Sequence, residues 1–240
     1  GCGHDSITAA IIHACYELSI PPHKVVKLSG IGCSSKTPAY FLSQAHGFNS
    51  VHGRMATIAT GASLVEPDLY YLGVSGDGDT CSIGLSHFLH TMRRNIDMLY
   101  IIENNGVYGL TKGQFSATSR KNAVGFKKNI NPHEPIDPID FALTAKAPFV
   151  ARSFSQDKDD LIALIKAGLL FEGFALLDVY SPCVSFNHHA ESGLSYPKIR
   201  ENKKTLSRVE IKKQSEISVS VPGWMSLRAG WAYRVVAEPG

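Results

Sequence analysis

The fold of this chain is decided between residues 70 and 105, where the sequence reads YYLGVSGDGDTCSIGLSHFLHTMRRNIDMLYIIENN. Two apolar runs, residues 70–74 and 98–102, have the composition of buried strands. Residues 81–94 between them can form one helix, and its apolar positions include Ile83, Leu89 and Met92. Strand, helix and strand in this order predict a parallel βαβ unit, in which ligands bind beyond the carboxyl ends of the strands.

Polar residues follow each of these two strands. Gly76-Asp77-Gly78-Asp79 comes after the first strand, and Asn104-Asn105 follows the second. By itself the acidic glycine run favours a plain turn. The double asparagine changes that interpretation, because the βαβ geometry brings Asp77 and Asn105 to one sheet edge beside exposed backbone N–H groups. Hard oxygen ligands together with N–H donors suit a magnesium-bound diphosphate.

The rest of the chain continues the alternation of strands and helices. Helices are expected over residues 6–18, 56–65, 139–146 and 157–171, and strands over residues 24–28, 149–153 and 174–180. This order predicts an α/β, doubly wound, mostly parallel sheet. We expect one domain over residues 1–201 and a divergent tail of uncertain structure over residues 202–240, where polar and β-branched residues alternate from Thr205 onward.

Composition is that of a soluble globular chain. The 240 residues are 44% hydrophobic and 19% charged, and the net charge of +3 gives no argument for a nucleic-acid partner. No apolar run reaches the ~18–20 residues needed to span a bilayer, so no membrane partner is expected. Five cysteines, with no secretory signal before the first motif, favour a reducing compartment, which predicts a cytoplasmic protein.

Residues 103–114, ENNGVYGLTKGQ, resemble the thiamine-diphosphate-binding β subunit of 2-oxoacid:ferredoxin oxidoreductases, most closely the 2-oxoglutarate branch. The resemblance runs from Gly1 to about Glu201. Its other landmarks are Gly1-Cys2-Gly3-His4, SGIGCSSK at residues 29–36, His52-Gly53-Arg54, the GDGD turn, and Tyr180-Ser181-Pro182-Cys183. The family's first landmark is C-P-G-C-G, so both ends of this sequence are expected to be incomplete.

The resemblance implies a magnesium ion held by the side chains of Asp77 and Asn105 and by the backbone carbonyl of Val107. Gly76 and Gly78 would let the main chain approach the cofactor closely.

The same resemblance implies that Thr111 and the amides around Gly109 and Leu110 bind the terminal phosphate. Asp79 would either accept a hydrogen bond behind the metal ligands or cap the helix that begins near Cys81, and we favour the cap.

Two further landmarks would border the thiazolium ring and the substrate. They are Gly32-Cys33-Ser34-Ser35-Lys36 and His52-Gly53-Arg54. Composition alone would make His52 and Arg54 part of a surface turn, and only the resemblance assigns them to the site. Lys36 and Arg54 are candidates for pairing with a substrate carboxylate, since arginine can do so through two hydrogen bonds.

Three cysteines, Cys2, Cys33 and Cys183, match three of the family's four ligands to a [4Fe–4S] cluster. The family's remaining cysteine would precede Cys2 by three positions. Spacing alone would instead favour three unrelated buried thiols, because no CxxC pair is present. Cys15 is expected in the core, and Cys81 is expected to be structural.

The resemblance implies that thiamine diphosphate decarboxylates a 2-oxoacid, that single electrons pass through the cluster to ferredoxin, and that coenzyme A takes the acyl group. In the family, the glutamate that acts as general base belongs to the α subunit, so activity would require that partner. Three alternatives stay open: a pyruvate or other 2-oxoacid enzyme, a non-catalytic iron–sulfur electron-transfer protein of the same fold, and a non-oxidative thiamine enzyme. The last leaves the three cysteines unexplained.

Overall fold

A computed structural model describes residues 2–125, 128–202, 207–217 and 223–237. Its centre is a six-stranded sheet in which every pairing is parallel. The strands of the first 180 residues are β1 (Val25–Ser29), β2 (His46–Asn49), β3 (Tyr70–Gly76), β4 (Met98–Asn104), the short β5 (Val107–Tyr108) and β6 (Gln114–Phe115), β7 (Phe149–Phe154) and β8 (Phe174–Tyr180). The order in the large sheet is β2-β1-β3-β4-β8-β7, while β5 and β6 form a separate antiparallel pair.

Helices cover both faces of this sheet. They are α1 (His4–Glu17), α2 (Met55–Val65), α3 (Leu85–Arg93), α4 (Pro138–Thr144), α5 (Lys158–Leu170) and α6 (Tyr196–Asn202). Side chains alternate along β4: Leu99 and Ile101 join the core under α1 and α5, whereas Met98 and Tyr100 join the core under α2, α3 and α4. Strands buried on both faces in this way confirm the doubly wound α/β class.

Local sequence explains where the helices begin. In α1 the buried residues Ile7, Ile11 and Ala14 recur at helical spacing and form one apolar stripe. At the start of α4 the carboxylate of Asp137 accepts a hydrogen bond of 2.8 Å from the N–H of Ile139. Pro138, the first helical residue, has no N–H to leave unpaired.

The single helix expected over residues 81–94 is wrong, because the segment is divided at Gly84. A π-helical turn covers Gly78–Ile83, and α3 begins only at Leu85. A Cβ on Gly84 would lie 2.7 Å from the carbonyl oxygen of Gly53, so the chain bends where two backbones touch. Ile83, expected on the apolar side, is 42% exposed as a result.

The described part of residues 202–240 forms a small antiparallel sheet. Its strands are β9 (Ser207–Lys213), β10 (Met225–Ser226) and β11 (Trp231–Ala237), in the order β10-β11-β9. Leu227 belongs to the core shared with α1 and α5, and Lys166 of α5 places its Nζ 5.5 Å from the centre of the Trp231 ring. These residues therefore pack on the domain, although residues 203–206, 218–222 and 238–240 lie outside the described ranges.

Within those ranges, no helix combines the length and the apolar character needed to cross a membrane.

Candidate active site

Asp77 and Asn105 meet at the carboxyl end of the sheet. The registry of β3 against β4 pairs Gly76 with Glu103 and so brings the residues that follow both strands together. The Asn105 N–H donates a hydrogen bond of 3.2 Å to Oδ1 of Asp77, and Asp77 is only 1% exposed. The juxtaposition expected from the βαβ unit is therefore present.

The side chain of Asn105 is fixed by a hydrogen bond to its own chain. Oδ1 of Asn105 accepts a 3.0 Å hydrogen bond from the N–H of Val107, so the amide side chain folds back over the turn that follows β4. In the described part of the chain, no three His, Cys, Asp or Glu side chains are grouped to hold a metal ion. The predicted ligand set has only one carboxylate and is therefore not a group of this kind. One carboxylate suits Mg²⁺, which commonly shares its coordination shell with phosphate oxygens.

Burial raises the pKa of Asp77, and several donors oppose that rise. Oδ2 of Asp77 accepts hydrogen bonds from the hydroxyls of Ser116 and Thr118, the latter at 2.6 Å. A divalent cation beside this carboxyl would favour its charged form further, because an adjacent opposite charge offsets the desolvation.

Gly78 is required by the ring of Tyr108. A Cβ on Gly78 would lie 2.5 Å from a carbon of that ring, and the Tyr108 hydroxyl donates a 2.9 Å hydrogen bond to the Gly78 carbonyl. The glycine that permits close approach in this turn therefore accommodates a neighbouring aromatic side chain.

Asp79 is not a helix cap, and the favoured expectation is wrong. It lies inside the π-helical turn, and its Oδ1 accepts a 2.7 Å hydrogen bond from the Gly53 N–H. Its Oδ2 accepts a 2.8 Å hydrogen bond from the Ser75 hydroxyl. Asp79 therefore links the end of β3 to the turn His52-Gly53-Arg54 through hydrogen bonds. Gly53 in this turn has a φ of +68°.

The two landmarks expected near the substrate lie at different depths. His52 and Lys36 are exposed, and Nη1 of Arg54 donates a 3.2 Å hydrogen bond to the carbonyl of Gly53 in its own turn. Ser34 is buried, and among the described residues its Oγ has no hydrogen-bond partner. That hydroxyl lies 3.0 Å from the position of a Cβ on Gly76, so it is available to a ligand beside the GDGD turn. Gly32, with a φ of +93°, turns the chain into this segment.

Gly109, Leu110 and Thr111, the residues expected at the terminal phosphate, have different surroundings in the structure. A Cβ on Gly109 would lie 3.4 Å from the sulfurs of both Cys33 and Cys183, and the Leu110 N–H donates a hydrogen bond to Cys33. Thr111 is exposed, and its hydroxyl donates a 2.6 Å hydrogen bond to Oε1 of Gln114. The structure thus places Gly109 and Leu110 at the cysteines, because the β5–β6 hairpin turns them there.

The three predicted cluster cysteines are neighbours, although within the described residues their side chains are not grouped closely enough to hold a single metal ion. Burial raises the pKa of Cys33, and the neighbouring Cys183 and Cys2 raise it further, whereas Leu110 and Lys36 lower it. Cys15 packs in the core under α1, and burial raises its pKa to about 12. Cys81 is also buried, so neither of these two is a member of the group.

Sequence reasoning missed the polar network behind Asp77. The Thr118 hydroxyl also lies 3.2 Å from Oδ1 of Asn104, whose amide donates a 3.1 Å hydrogen bond to Asp178. Arg152 donates a 2.9 Å hydrogen bond to the other oxygen of Asp178. Burial raises the pKa of Asp178 to about 6, although Arg152 lowers it. The only sequence signal was the hydroxyl-rich run Ser116-Ala117-Thr118-Ser119, which lies outside all of the expected helices and strands.

Comparison with known proteins agrees with this geometry. Residues 30–179 match the family model described as thiamine pyrophosphate enzyme, C-terminal TPP binding domain. The 2-oxoglutarate synthase subunit KorB of Methanocaldococcus jannaschii is 37% identical over 190 residues, which are 78% of this chain and 68% of that protein. This chain belongs to the β subunits of 2-oxoacid:ferredoxin oxidoreductases. The β-subunit resemblance seen in the sequence is confirmed.

Other relatives agree. The 2-oxoacid:ferredoxin oxidoreductase subunit beta of Saccharolobus solfataricus is 43% identical over 190 residues, 78% of this chain and 62% of the relative. This β-subunit chain therefore spans about three fifths of that relative's length. A solved 2-oxoglutarate:ferredoxin oxidoreductase from Magnetococcus marinus, with 2-oxoglutarate, coenzyme A and succinyl-CoA bound, matches with a TM-score of 0.79 and 36% identity. The match covers 86% of this chain and 72% of that one.

The residues of this β subunit fit a thiamine diphosphate bound through a metal. The Asn105 N–H donates to Asp77, the Asn105 amide oxygen accepts from the Val107 N–H, and the buried Ser34 hydroxyl lacks a partner among the described residues. The site lies beyond the carboxyl ends of β1, β3 and β4, where strand order reverses and ligands of open α/β sheets bind.

Proposed function

We propose that this chain is the cofactor-binding subunit of a 2-oxoacid:ferredoxin oxidoreductase that acts on 2-oxoglutarate with coenzyme A. The observation that carries the proposal is the contact between Asp77 and Asn105 at the carboxyl ends of the neighbouring strands β3 and β4. Relatives named as 2-oxoglutarate enzymes support the substrate. A cytoplasmic location follows from the same proposal.

Asp77, Asn105 and the Val107 carbonyl would hold Mg²⁺, and the ion would hold the diphosphate of the cofactor. Ser116 and Thr118 orient the Asp77 carboxylate, since both donate to Oδ2 and leave Oδ1 near Asn105. When bound, thiamine diphosphate supplies a carbanion and an electron sink for decarboxylation. The chain itself positions and encloses that group.

Cys2, Cys33 and Cys183 would hold the iron–sulfur cluster. The sulfurs of Cys33 and Cys183 lie beside Gly109, where the missing Cβ leaves them room, and the Leu110 N–H donates to Cys33. Backbone donors to the sulfurs tune the potential of such clusters. Electrons would leave from here to ferredoxin.

The remaining parts of the active site would come from an α subunit. No carboxylate of this chain is assigned to activate the cofactor, and Asp77 and Asp79 are both engaged elsewhere. His52 and Lys36 are exposed, Arg54 is partly exposed, and these three are the proposed contacts to substrate. The functional enzyme is therefore proposed to be a hetero-oligomer.

The direct test is calorimetric titration of the αβ enzyme with thiamine diphosphate, with and without Mg²⁺. Asp77→Ala and Asn105→Ala should lose magnesium-dependent binding by at least about a hundredfold, because each removes a metal ligand. Asp68→Ala is the matched control, since Asp68 is exposed just before the opposite end of β3. Wild-type affinity in both site variants would reject the assignment.

The substrate is tested separately with the same αβ enzyme. Ferredoxin reduction with 2-oxoglutarate should exceed that with pyruvate at equal concentration, with both reactions dependent on coenzyme A. A preference for pyruvate would replace the proposed substrate without affecting the metal site. Cluster absorbance without any thiamine diphosphate binding would instead support a non-catalytic electron-transfer protein.

A further inference from the structure

A buried carboxyl group, that of Glu103, lies between the cysteine-bearing segments. Glu103 is the penultimate residue of β4 and is 0% exposed. The hydroxyl of Thr37 lies 2.9 Å from each of its two oxygens, and Nδ1 of His4 lies 3.4 Å from Oε2. Among the described residues, neither lysine nor arginine forms an ion pair with it. A buried polar group of this kind is costly unless it is hydrogen-bonded.

Each group that meets the end of β4 belongs to a different cysteine segment. His4 follows Cys2 by two residues, and Thr37 lies in the 3₁₀ turn Cys33–Ala39 that begins with Cys33. The third segment arrives next to Glu103, because the N–H of Ser181 donates a 2.8 Å hydrogen bond to the carbonyl of Asn104. Cys183 follows two residues later. Three chain segments remote in sequence are thus joined at two consecutive residues.

We propose that Glu103 is a positioning residue for the iron–sulfur site, which through Thr37 and His4 holds the segments that carry Cys33 and Cys2 next to each other. The inference rests on the proposed function, because it takes the three thiols to be cluster ligands. An apolar residue at this strand position would pack without desolvating a carboxyl group. The carboxyl is the group that can hold two neighbouring segments at once.

The test uses Thr37→Val, which removes the hydroxyl and keeps the shape of the side chain. Thr37→Ser restores a donor. Thr91→Val is the matched control, since Thr91 is an equally buried threonine in α3 whose hydroxyl bonds the carbonyl of His87. Glu103→Gln keeps the size of the side chain and one acceptor oxygen.

Two rates are measured in the αβ complex. The first is iron release to a chelator from the anaerobically reconstituted protein, together with the electron paramagnetic resonance line shape of the reduced cluster. The second is alkylation of Cys2 and Cys33 by iodoacetamide in the metal-free complex, resolved by peptide mass spectrometry. Thr37→Val should raise both rates about tenfold, the factor that one lost hydrogen bond to a carboxyl corresponds to. Glu103→Gln should raise them about threefold.

Restoration by Thr37→Ser and wild-type rates in Thr91→Val would support the positioning role. Equal rates in Thr37→Val and Thr91→Val would overturn it while leaving the cluster assignment intact. If Thr37→Val does not fold, Glu103→Gln decides the question by the same rates. A wild-type complex that binds no iron would reject the cluster assignment and this inference together, although magnesium-dependent cofactor binding could still stand.

Discussion

Replacing Gly78 with alanine should separate the GDGD turn from the segment that carries Asn105. The added Cβ would lie 2.5 and 2.6 Å from two ring carbons of Tyr108. Ordinary carbon contacts are about 3.5–4.0 Å, so the ring must move by about 1 Å. That movement also breaks the 2.9 Å hydrogen bond from the Tyr108 hydroxyl to the Gly78 carbonyl.

The cost follows from these two changes. Overpacking a tight contact costs about 1–3 kcal/mol, and a lost hydrogen bond costs about 1 kcal/mol. Alanine recovers ~0.5–1 kcal/mol of backbone entropy in a helical turn. We therefore expect the free energy of unfolding to fall by about 2 kcal/mol. Magnesium-dependent affinity for thiamine diphosphate should fall at least about tenfold. The reason is that Tyr108 adjoins Val107, whose carbonyl is a proposed ligand of the metal.

Urea unfolding and calorimetric titration measure the two quantities. Gly61→Ala is the control, since Gly61 is an exposed residue of α2 with no atom within 4 Å of its added Cβ. That variant should gain ~0.5–1 kcal/mol in unfolding free energy and bind the cofactor as the wild type does. Gly78→Ala should cost less in a Tyr108→Leu background, which a double-mutant cycle detects.

Two outcomes would refute this reasoning. Wild-type stability and affinity in Gly78→Ala would show that Tyr108 does not occupy the space beside the glycine. An equal cost of Gly78→Ala with and without the Tyr108 ring would show that the clash lies elsewhere.

Two further predictions concern stability. Burial raises the pKa of Asp178 to about 6 from 3.8, so the folded state holds an extra proton between these values and wild-type stability falls as pH rises through that window. Relative to wild type, Asp178→Asn should therefore gain up to about 3 kcal/mol from pH ~4 to ~6 in urea titrations, and an unchanged difference would contradict the shift. Leu227→Ala should lower the unfolding free energy by about 2 kcal/mol or more, whereas Val235→Ala, exposed on the same small sheet, should change it little. Equal effects would show that this sheet does not share the core.

The fold could be predicted because strands and helices here carry strong apolar periodicity. The strand from Phe174 to Tyr180 has the bounds that the sequence predicts, since an almost wholly apolar run of seven residues suits a central parallel strand. The division of the helix at Gly84 could not be predicted. It arises from contact with the backbone of Gly53, which lies 31 positions earlier, and no local pattern reports such a contact.

The candidate site likewise contains residues that the sequence predicts and residues that it does not. Asp77 and Asn105 directly follow strands, so strand order alone places them together. Asp79 was misassigned because capping is a local rule, whereas its partners Gly53 and Ser75 are set by packing. Ser116 and Thr118 reach the site from a long irregular segment, and their role depends on where that segment returns.

The short strand β5 and the glycine that follows it adjoin both proposed cofactor sites. Tyr108 packs against Gly78 of the GDGD turn, and a Cβ on the next residue, Gly109, would lie 3.4 Å from the sulfurs of Cys33 and Cys183, so adjacent residues border the proposed diphosphate and cluster sites. Inserting a single residue there would shift the residues that border both sites. If binding at one of these sites moves this segment and changes affinity at the other, the reciprocal change in affinity must be equal.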